Sequence, residues 1–326
     1  MEYRRLGKTD IQASVISIGT WAMGADWGPV DDDQSLRALD AAADAGVTFF
    51  DTADVYGDGH SERLLARFRR ERHEPIVIAT KIGRRAPLDL DEYTPENFAA
   101  WIDRSRANLD VDRLDLVQLH CLPTDIYYRP EIFAALDSFV SDGRIASYGV
   151  SVERVEEGLK AIEYPNLGTV QIIFNIFRQR PAELFLREAM RRDVGVIVRV
   201  PLASGLLTGK FSRDSEFSAS DHRNFNRYGE SFDVGETFAG VDYDTALEVI
   251  EELRPLVPPG TTMAQLALRW ILMENGVSTV IPGAKNAGQA GANAAAAELP
   301  ALPPSTMERV AMLYRDRVAP LVHQRW

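Results

Sequence analysis

The sequence predicts a (β/α)8 TIM barrel that occupies residues 1–326 as one domain, with an N-terminal hairpin and a C-terminal extra helix. Short runs of β-branched residues alternate with longer amphipathic stretches, and eight such runs can be counted. Several runs are almost continuously hydrophobic, as parallel strands buried on both faces should be. A chain of 326 residues can close a barrel of about 250 residues and still carry insertions.

The segments between the predicted strands carry helix start and stop signals. Thr94 followed by Pro95 is typical of an N-cap with proline at the first helical position. Asp32 or Asp33 can cap the first predicted helix, which ends at Gly46. The predicted strands cover residues 15–18, 48–50, 76–80, 114–119, 145–150, 170–174, 194–200 and 277–281. The helices named between them cover residues 36–45, 98–109, 130–140, 181–192 and 286–297.

Three segments lie outside the alternating pattern. Residues 3–11 predict a small hairpin ahead of the first barrel strand. Residues 211–244 form a long polar stretch between the seventh and eighth strands, and a loop of this length is usually functional or mobile. A linker at residues 300–304 and a terminal helix at residues 305–318 follow the barrel. The last four residues either fold back over the site as a lid or fray.

The composition excludes several classes of function. A net charge of −12 argues against a surface for nucleic acid or for an anionic membrane. Residues 1–20 lack the pattern of a secretory leader, and no apolar run approaches the ~18 residues that span a bilayer. Cys121 is the only cysteine, which excludes an intrachain disulfide and a cysteine-based metal site. We therefore expect a cytoplasmic protein without a metal, and its oligomeric state cannot be read from the sequence.

Chemistry-bearing residues follow three neighbouring predicted strands. Asp51 and Tyr56 follow the second strand, Lys81 follows the third and His120 follows the fourth. Barrel enzymes carry their reactive groups at the carboxyl ends of the strands, so these four side chains should face one mouth. Taken singly, each has an ordinary structural explanation, such as a cap, a surface charge or a packed ring. Their joint position at successive strand ends favours a catalytic group.

This group of side chains can act as a proton donor. A phenol with a pKa near 10 is a weak acid at neutral pH, and a nearby ammonium lowers that pKa by stabilising the phenolate. A carboxylate paired with the ammonium keeps it charged and oriented, and an imidazole can hydrogen-bond a substrate oxygen. The reaction best served is protonation of an oxyanion as hydride reaches a carbonyl carbon.

The order of these residues resembles the catalytic tetrad of the aldo-keto reductase family. Further strings at the strand ends extend the resemblance over essentially the whole chain. They are Gly19-Thr20-Trp21, Gly149-Val150-Ser151, Gln171, residues 201–210 and residues 281–285. The resemblance implies that Tyr56 is the general acid or base, that Lys81 and Asp51 tune it, and that His120 orients the carbonyl.

The resemblance also implies a nicotinamide dinucleotide bound across the barrel mouth. Ser151 and Gln171 would bond its carboxamide, residues 201–210 would wrap its pyrophosphate, and Trp21, Tyr56 and His120 would contact the substrate. The expected cofactor contacts are Gly19, Thr20, Trp21, Asp51, Ser151, Gln171, Arg199, Val200, Pro201, Leu202, Ser204, Gly205, Leu206, Lys210, Gly283, Ala284, Lys285, Gln289 and Asn293.

Three positions depart from the family pattern. Val152 stands where the family often has an asparagine that bonds the carboxamide, and Arg199 stands where an aromatic ring commonly stacks on the nicotinamide. A planar guanidinium could stack in place of that ring. Gln289 replaces an arginine that often binds the 2′-phosphate, and Lys285 could supply that charge instead. NADP(H) is therefore favoured and NAD(H) remains possible.

Two functions from different classes fit the sequence. The first is a reductase of aldehydes, ketones or sugar carbonyls, or the same chemistry run as an alcohol or aldose dehydrogenase. The second is a non-catalytic nicotinamide-binding sensor or regulatory subunit on the same barrel. A pure sensor has no need of the Asp51, Lys81 and Tyr56 arrangement, so the sequence favours the enzyme.

Overall fold

In the computed structural model, which describes residues 1–24, 27 and 31–326, eight parallel strands form a barrel and confirm the predicted fold. Each barrel strand pairs with the next along the chain, and bridges from Ile16 to Val280 and from Gly19 to Gly283 join the first strand to the last. The strands are β1 (Tyr3–Arg5) and β2 (Gln12–Ser14) of the hairpin, then β3 (Ile18–Gly19), β4 (Phe49–Asp51), β5 (Val77–Ile82), β6 (Leu116–His120), β7 (Tyr148–Ser151), β8 (Thr169–Ile173), β9 (Gly195–Arg199) and β10 (Thr279–Val280) of the barrel.

Helices surround the barrel and pack their apolar faces on the outer side of the strands. They are α1 (Trp21–Gly24), α2 (Asp32–Asp44), α3 (His60–Arg70), α4 (Pro95–Leu109), α5 (Pro130–Ser141), α6 (Val155–Ala161), α7 (Phe185–Arg191), α8 (His222–Phe225), α9 (Tyr243–Leu253), α10 (Met263–Leu272), α11 (Ala287–Ala294), α12 (Pro304–Leu313) and α13 (Ala319–Val322). Across the described part of the chain, none of these helices has the length and apolarity to span a bilayer.

The hairpin predicted at residues 3–11 is formed by β1 and β2, and it closes the amino end of the barrel. Leu6 is fully buried and packs with Phe49 and Ile197 inside the barrel. Gly7 has a φ of +58°, and a Cβ there would lie 2.2 Å from the amide nitrogen of Gly195. Only glycine allows the backbone of the hairpin to approach the start of β9 so closely.

The bounds of the predicted strands differ from the observed ones by up to three residues at an end. The first strand shows the reason, because it was predicted at residues 15–18 and is Ile18–Gly19. The amide of Val15 donates to the carbonyl of Glu2 in the hairpin at 3.0 Å. Pairing with β4 therefore begins only at Ile18.

The helix predictions are confirmed where capping chemistry is explicit and need correction elsewhere. Thr94 caps α4 and Asn286 caps α11 with their side chains, whereas Asp31 caps α2 in place of Asp32 or Asp33. The helix predicted at residues 181–192 is a 3-10 turn followed by α7, because Leu184 has the non-helical φ and ψ of −137° and −49°. The terminal helix predicted at residues 305–318 ends at Leu313 and continues as a π-helical turn.

The long polar stretch at residues 211–244 is folded onto the barrel. It contains α8, two 3-10 turns and the start of α9. Trp326 is 4 % exposed and packs against this stretch, where its Nε1 donates to Asp233 at 2.9 Å. The last residue therefore neither frays nor covers the mouth directly, and it packs against residues 211–244 instead.

Candidate active site

Four side chains from three neighbouring strand ends meet at the carboxyl end of the barrel. Asp51 ends β4, Lys81 lies in β5 and His120 ends β6. Asp51 pairs with Ala79 and Lys81 pairs with Gln118, so Lys81 and His120 each lie two residues beyond these partners and on the same face of their strands. Tyr56 lies in the turn that follows Asp51. Asp51, Lys81 and His120 are at most 5 % exposed. The structure thus brings together the four residues that the sequence predicted to act jointly.

Lys81 is at the centre of this group. Its Nζ forms a buried ion pair with Asp51 Oδ1 and donates to the carbonyl of Thr52 at 2.8 Å. It also donates to the hydroxyl of Tyr56 at 3.4 Å. An ammonium has three donors, so these contacts use all of them and fix the charge beside the phenol.

Burial controls the ionisation of Tyr56 and Lys81. It raises the pKa of the Tyr56 phenol above its usual value near 10.0, although the charge of Lys81 opposes the shift. The net direction is the opposite of the lowered pKa expected from the sequence, because the phenolate loses more by burial than it gains from Lys81. Burial alone would lower the pKa of Lys81, but the charge of Asp51, and that of Tyr56 once the phenol ionises, raise it above 10.5. Tyr56 is therefore protonated, and Lys81 charged, at neutral pH.

His120 lies next to the phenol as a neutral imidazole. Burial, assisted by the positive charges of Arg84 and Lys81, holds the pKa of His120 well below 6.5. The rings of His120 and Tyr56 are nearly perpendicular, with centroids 5.9 Å apart, and both line one cavity. A neutral imidazole can donate one hydrogen bond, which suits it to orient a carbonyl oxygen.

Two side-chain amides hold the carboxylate of Asp51. Gln171 Nε2 donates to Asp51 Oδ2 at 2.8 Å, and Gln118 Nε2 donates to the same oxygen at 3.1 Å. Ser151 Oγ in turn donates to Gln171 Oε1 at 3.4 Å. Gln118 was missed from the sequence, yet it precedes His120 by two residues in one strand and so shares its inward face.

The backbone around the mouth adopts conformations that ordinary residues avoid. Cys121, Val200, Ala203 and Ser204 all have φ between +47° and +55°. For Val200 this is a true outlier, because its branched Cβ clashes with the backbone in the left-handed region. Such strained residues cluster at functional sites, where the surrounding structure holds them in place.

A cavity of about 410 Å³ extends from the tetrad to the amino ends of α10 and α11. Both helix ends favour a negative charge, since their first amides point outwards along the helix dipole. Lys210, Arg223 and Lys285 also line this cavity. The strand-end polar groups, the two helix ends and the three cations fit a long anionic dinucleotide.

Most predicted cofactor residues line this cavity. Two do not: the Thr20 hydroxyl donates to the carbonyl of Asp51 at 2.9 Å, and Leu206 is 1 % exposed in the outer core. Glu236 and Thr262 line the cavity without having been predicted, and Thr262 could have been found from the capping box it forms with Gln265. The predicted residues in the lining are Gly19, Trp21, Asp51, Ser151, Gln171, Arg199, Val200, Pro201, Leu202, Ser204, Gly205, Lys210, Gly283, Ala284, Lys285, Gln289 and Asn293, together with Tyr56 and His120.

The two residues considered for the 2′-phosphate are already engaged. Lys285 Nζ donates to the carbonyl of Trp27, and burial together with the charge of Arg223 lowers the pKa of Lys285. Gln289 accepts from the backbone amide of Lys285 at 2.8 Å. Arg223 lies over the ring of Trp27 and is paired with Asp221, so Lys285 is the cation of the two that has no carboxylate partner among the contacts described.

At the barrel mouth, a charged lysine joins a carboxylate to a protonated tyrosine beside a neutral histidine. This arrangement defines the site of an oxidoreductase acting on carbonyl groups. The chain belongs to the aldo/keto reductase family, whose model matches residues 15–315. Members of this family are oxidoreductases that use a nicotinamide cofactor.

Relatives and solved structures cover nearly the whole chain. Aldo-keto reductase YhdN of Bacillus subtilis is 29 % identical over 89 % of this chain and 86 % of its own. A probable voltage-gated potassium channel subunit beta of Arabidopsis thaliana is 28 % identical over 97 % of this chain and 98 % of its own. The structure of the glycerol dehydrogenase AKR11B4 from Gluconobacter oxydans superposes with a TM-score of 0.78 at 27 % identity, covering 97 % of this chain and 96 % of that one.

Proposed function

We propose that this protein reduces the carbonyl group of an aldehyde or ketone to an alcohol, with NADPH favoured over NADH. The observation that carries the proposal is the contact of Lys81 with both Asp51 and Tyr56 in the cavity that His120 also lines. When bound, the nicotinamide supplies the hydride. The residues of the chain supply the proton and the geometry.

Tyr56 donates the proton from its hydroxyl to the carbonyl oxygen as negative charge develops there. The phenol enters the reaction protonated because burial raises its pKa. Lys81 then stabilises the phenolate that remains, and its ion pair with Asp51 keeps the ammonium in place. His120 donates a hydrogen bond to the same carbonyl oxygen from its neutral ring, which orients the substrate.

The strand-end polar groups would orient the nicotinamide. Ser151 and Gln171 are linked to each other and, through Gln171, to Asp51. A carboxamide bonded to Ser151 or Gln171 would thus be held at a fixed position relative to the proton donor. Residues 201–210 would surround the pyrophosphate, and the exposed Lys210 would face its charge.

The preference for NADPH rests on the positive charge of Lys285, which lines the cavity at the amino end of α11. We expect Lys285→Ala to raise the dissociation constant of NADPH by about tenfold or more while changing that of NADH far less, because only NADPH carries a 2′-phosphate. Lys160→Ala, which removes a partly exposed lysine that is paired with Glu163, is the matched control. Equal losses for the two cofactors in Lys285→Ala would show that Lys285 does not bind the 2′-phosphate.

Two alternatives remain within the same site. The reaction can run towards oxidation, as the name of the Gluconobacter glycerol dehydrogenase suggests for that protein. A regulatory role is suggested for the plant relative by its name as a channel subunit. The complete tetrad supports turnover in either direction over a purely regulatory role.

The proposal is tested by titrating the purified protein with NADPH and with NADH, and then adding aldehydes, ketones and aldoses while following the nicotinamide absorbance. We expect binding of both cofactors, tighter for NADPH, and consumption of the reduced form by at least one class of carbonyl. Binding without consumption would favour the oxidative or regulatory role, and an absence of binding would overturn the cofactor assignment.

A further inference from the structure

Three buried hydroxyl groups behind the tetrad are joined by hydrogen bonds, and we call them the hydroxyl chain. The chain consists of Thr52, Ser61 and Thr20. Thr52 Oγ1 donates to Ser61 Oγ at 2.8 Å, and the hydroxyl oxygens of Ser61 and Thr20 are 2.7 Å apart. Thr20 Oγ1 donates to the carbonyl of Asp51 at 2.9 Å. The hydroxyl chain therefore connects the residue after Asp51 with the backbone of Asp51 itself.

The hydrogen bonds of the hydroxyl chain all run in one direction. A hydroxyl group carries one hydrogen. The hydrogen of Thr20 is committed to the carbonyl of Asp51, so Ser61 must be the donor in its bond with Thr20. Ser61 in turn accepts from Thr52. Each bond polarises the next, and Ser61, as the middle member, takes part in two of the three.

Ser61 also holds the backbone of the turn that carries the proton donor. It is the second residue of α3, and its amide donates to the carbonyl of Tyr56 at 3.2 Å. The carbonyl of Thr52, which belongs to the first member of the hydroxyl chain, accepts from Lys81 Nζ at 2.8 Å. Ser61 is thus linked to the turn of Tyr56, to an acceptor of Lys81 and to the backbone of Asp51.

The hydroxyl chain can act only through the backbone that it holds. Thr20, Thr52 and Ser61 are at most 1 % exposed, and none of these three residues lines the cavity. Loss of the Ser61 hydroxyl would leave the Thr52 hydroxyl without its acceptor, and a buried donor without an acceptor is costly. A shift of Thr52 that recovers a partner would also move the carbonyl to which Lys81 donates.

The position of Lys81 is sensitive to such a shift, because its contact with the Tyr56 hydroxyl is already long, at 3.4 Å. We infer that Ser61 is a positioning residue, whose hydroxyl keeps the ammonium of Lys81 against the phenol of Tyr56. It does so through Thr52 and through the backbone of Asp51. This inference rests on the proposed carbonyl reduction and adds to it a residue that touches neither substrate nor cofactor.

The test is a double-mutant cycle on the single-turnover rate constant of hydride transfer from NADPH to a reactive aldehyde. We expect Ser61→Ala and Thr52→Val each to lower the rate constant by about tenfold, because a displaced Lys81 stabilises the phenolate less well. The double variant should also lose about tenfold rather than about a hundredfold, since both changes break the same chain. The dissociation constant of NADPH should stay within about twofold, because no contact with the cofactor is removed.

Ser105→Ala is the matched control for removal of a buried serine hydroxyl. Ser105 is fully buried, and its hydroxyl has no hydrogen-bond partner among the described residues. We expect this variant to keep the wild-type rate constant. A wild-type rate constant in Ser61→Ala, or a double variant that loses about a hundredfold, would overturn the inference. If Ser61→Ala does not fold, a wild-type rate constant in Thr52→Val overturns it and a loss of about tenfold supports it.

A measurement without turnover separates this inference from failure of the reductase itself. Lys81 is the only buried lysine among the five in the chain. NMR spectroscopy of its ammonium protons, assigned by their loss in Lys81→Arg, measures how fast they exchange with water. Exchange that is faster by about tenfold in Ser61→Ala than in Ser105→Ala supports the positioning role even if no aldehyde is reduced. Equal exchange in the two variants overturns it.

Discussion

At the scale of single residues, Lys81 connects the groups that would hold and move the proton in the proposed reduction. Its ammonium bonds to Asp51, to the carbonyl of Thr52 and to Tyr56. Because the phenol is buried, its pKa lies above the usual value despite this charge. In the proposed reaction the lysine would therefore act by stabilising the phenolate that forms, and Tyr56 would be protonated beforehand.

This ionisation predicts how the reaction depends on pH. Reduction needs the phenol protonated, so the single-turnover rate constant should stay flat from about pH 7 to about pH 9 and fall only as the raised pKa of Tyr56 is approached. Oxidation needs the phenolate, so its rate constant should rise over the same range. A rate of reduction that falls steadily between pH 7 and pH 9 would contradict a protonated resting Tyr56.

Sequence reasoning identified the tetrad because each member follows a strand whose hydrophobic pattern is clear. It could not place Glu236 in the wall of the cavity, because Glu236 comes from the polar stretch 211–244, which has no periodicity to place it. It also could not give the net pKa of Tyr56, since burial outweighs the lysine that the sequence did show. The orientation of Thr20 and Leu206 likewise depends on packing rather than on local pattern.

At the scale of elements, the turn that carries Tyr56 depends on a close backbone approach. Gly57 has a φ of +58°, and a Cβ there would lie 2.4 Å from the carbonyl oxygen of Gly24. Alanine can relieve this clash only by moving the turn, and with it the phenol. The distance from Tyr56 to Lys81 is therefore set by the packing of this turn on the end of α1.

We expect Gly57→Ala to lower kcat by about tenfold to a hundredfold, because a displacement of about 1 Å misplaces the proton donor. Gly143→Ala is the matched control, since Gly143 also has a positive φ, of +73°, but has nothing within 4 Å of its Cβ position. Steady-state kinetics at saturating cofactor measure the effect. The same kcat in both variants would show that the contact with Gly24 does not position Tyr56.

At the scale of the whole molecule, the barrel has two different ends. The hairpin closes the amino end with Leu6, while strained strand ends and long loops form the site at the carboxyl end. The alternation of strands and helices was predicted because burial on both faces imposes continuous apolar runs. The bounds of the strands were not predicted to the residue, since pairing with the hairpin and with neighbouring loops decides where the hydrogen bonds between two strands begin.

Leu6→Ala should lower the free energy of unfolding by about 2–5 kcal/mol, because it opens a cavity inside the barrel. Chemical denaturation measures the change, and Leu88→Ala, at a site that is 61 % exposed, is the control. Under native conditions kcat should change little, since Leu6 lies at the end of the barrel away from the site. Equal stability of the two variants would mean that the hairpin does not seal the barrel.

The most direct test of the central claim is the single-turnover rate of hydride transfer in Tyr56→Phe with saturating NADPH and a reactive aldehyde. We expect the rate constant to fall by about 10²- to 10⁴-fold while the dissociation constant of NADPH stays within about twofold, because only the proton donor is removed. Tyr3→Phe, which alters an exposed phenol in the hairpin, should behave as the wild type. A rate constant near that of the wild type in Tyr56→Phe would show that another group supplies the proton and would contradict the mechanism.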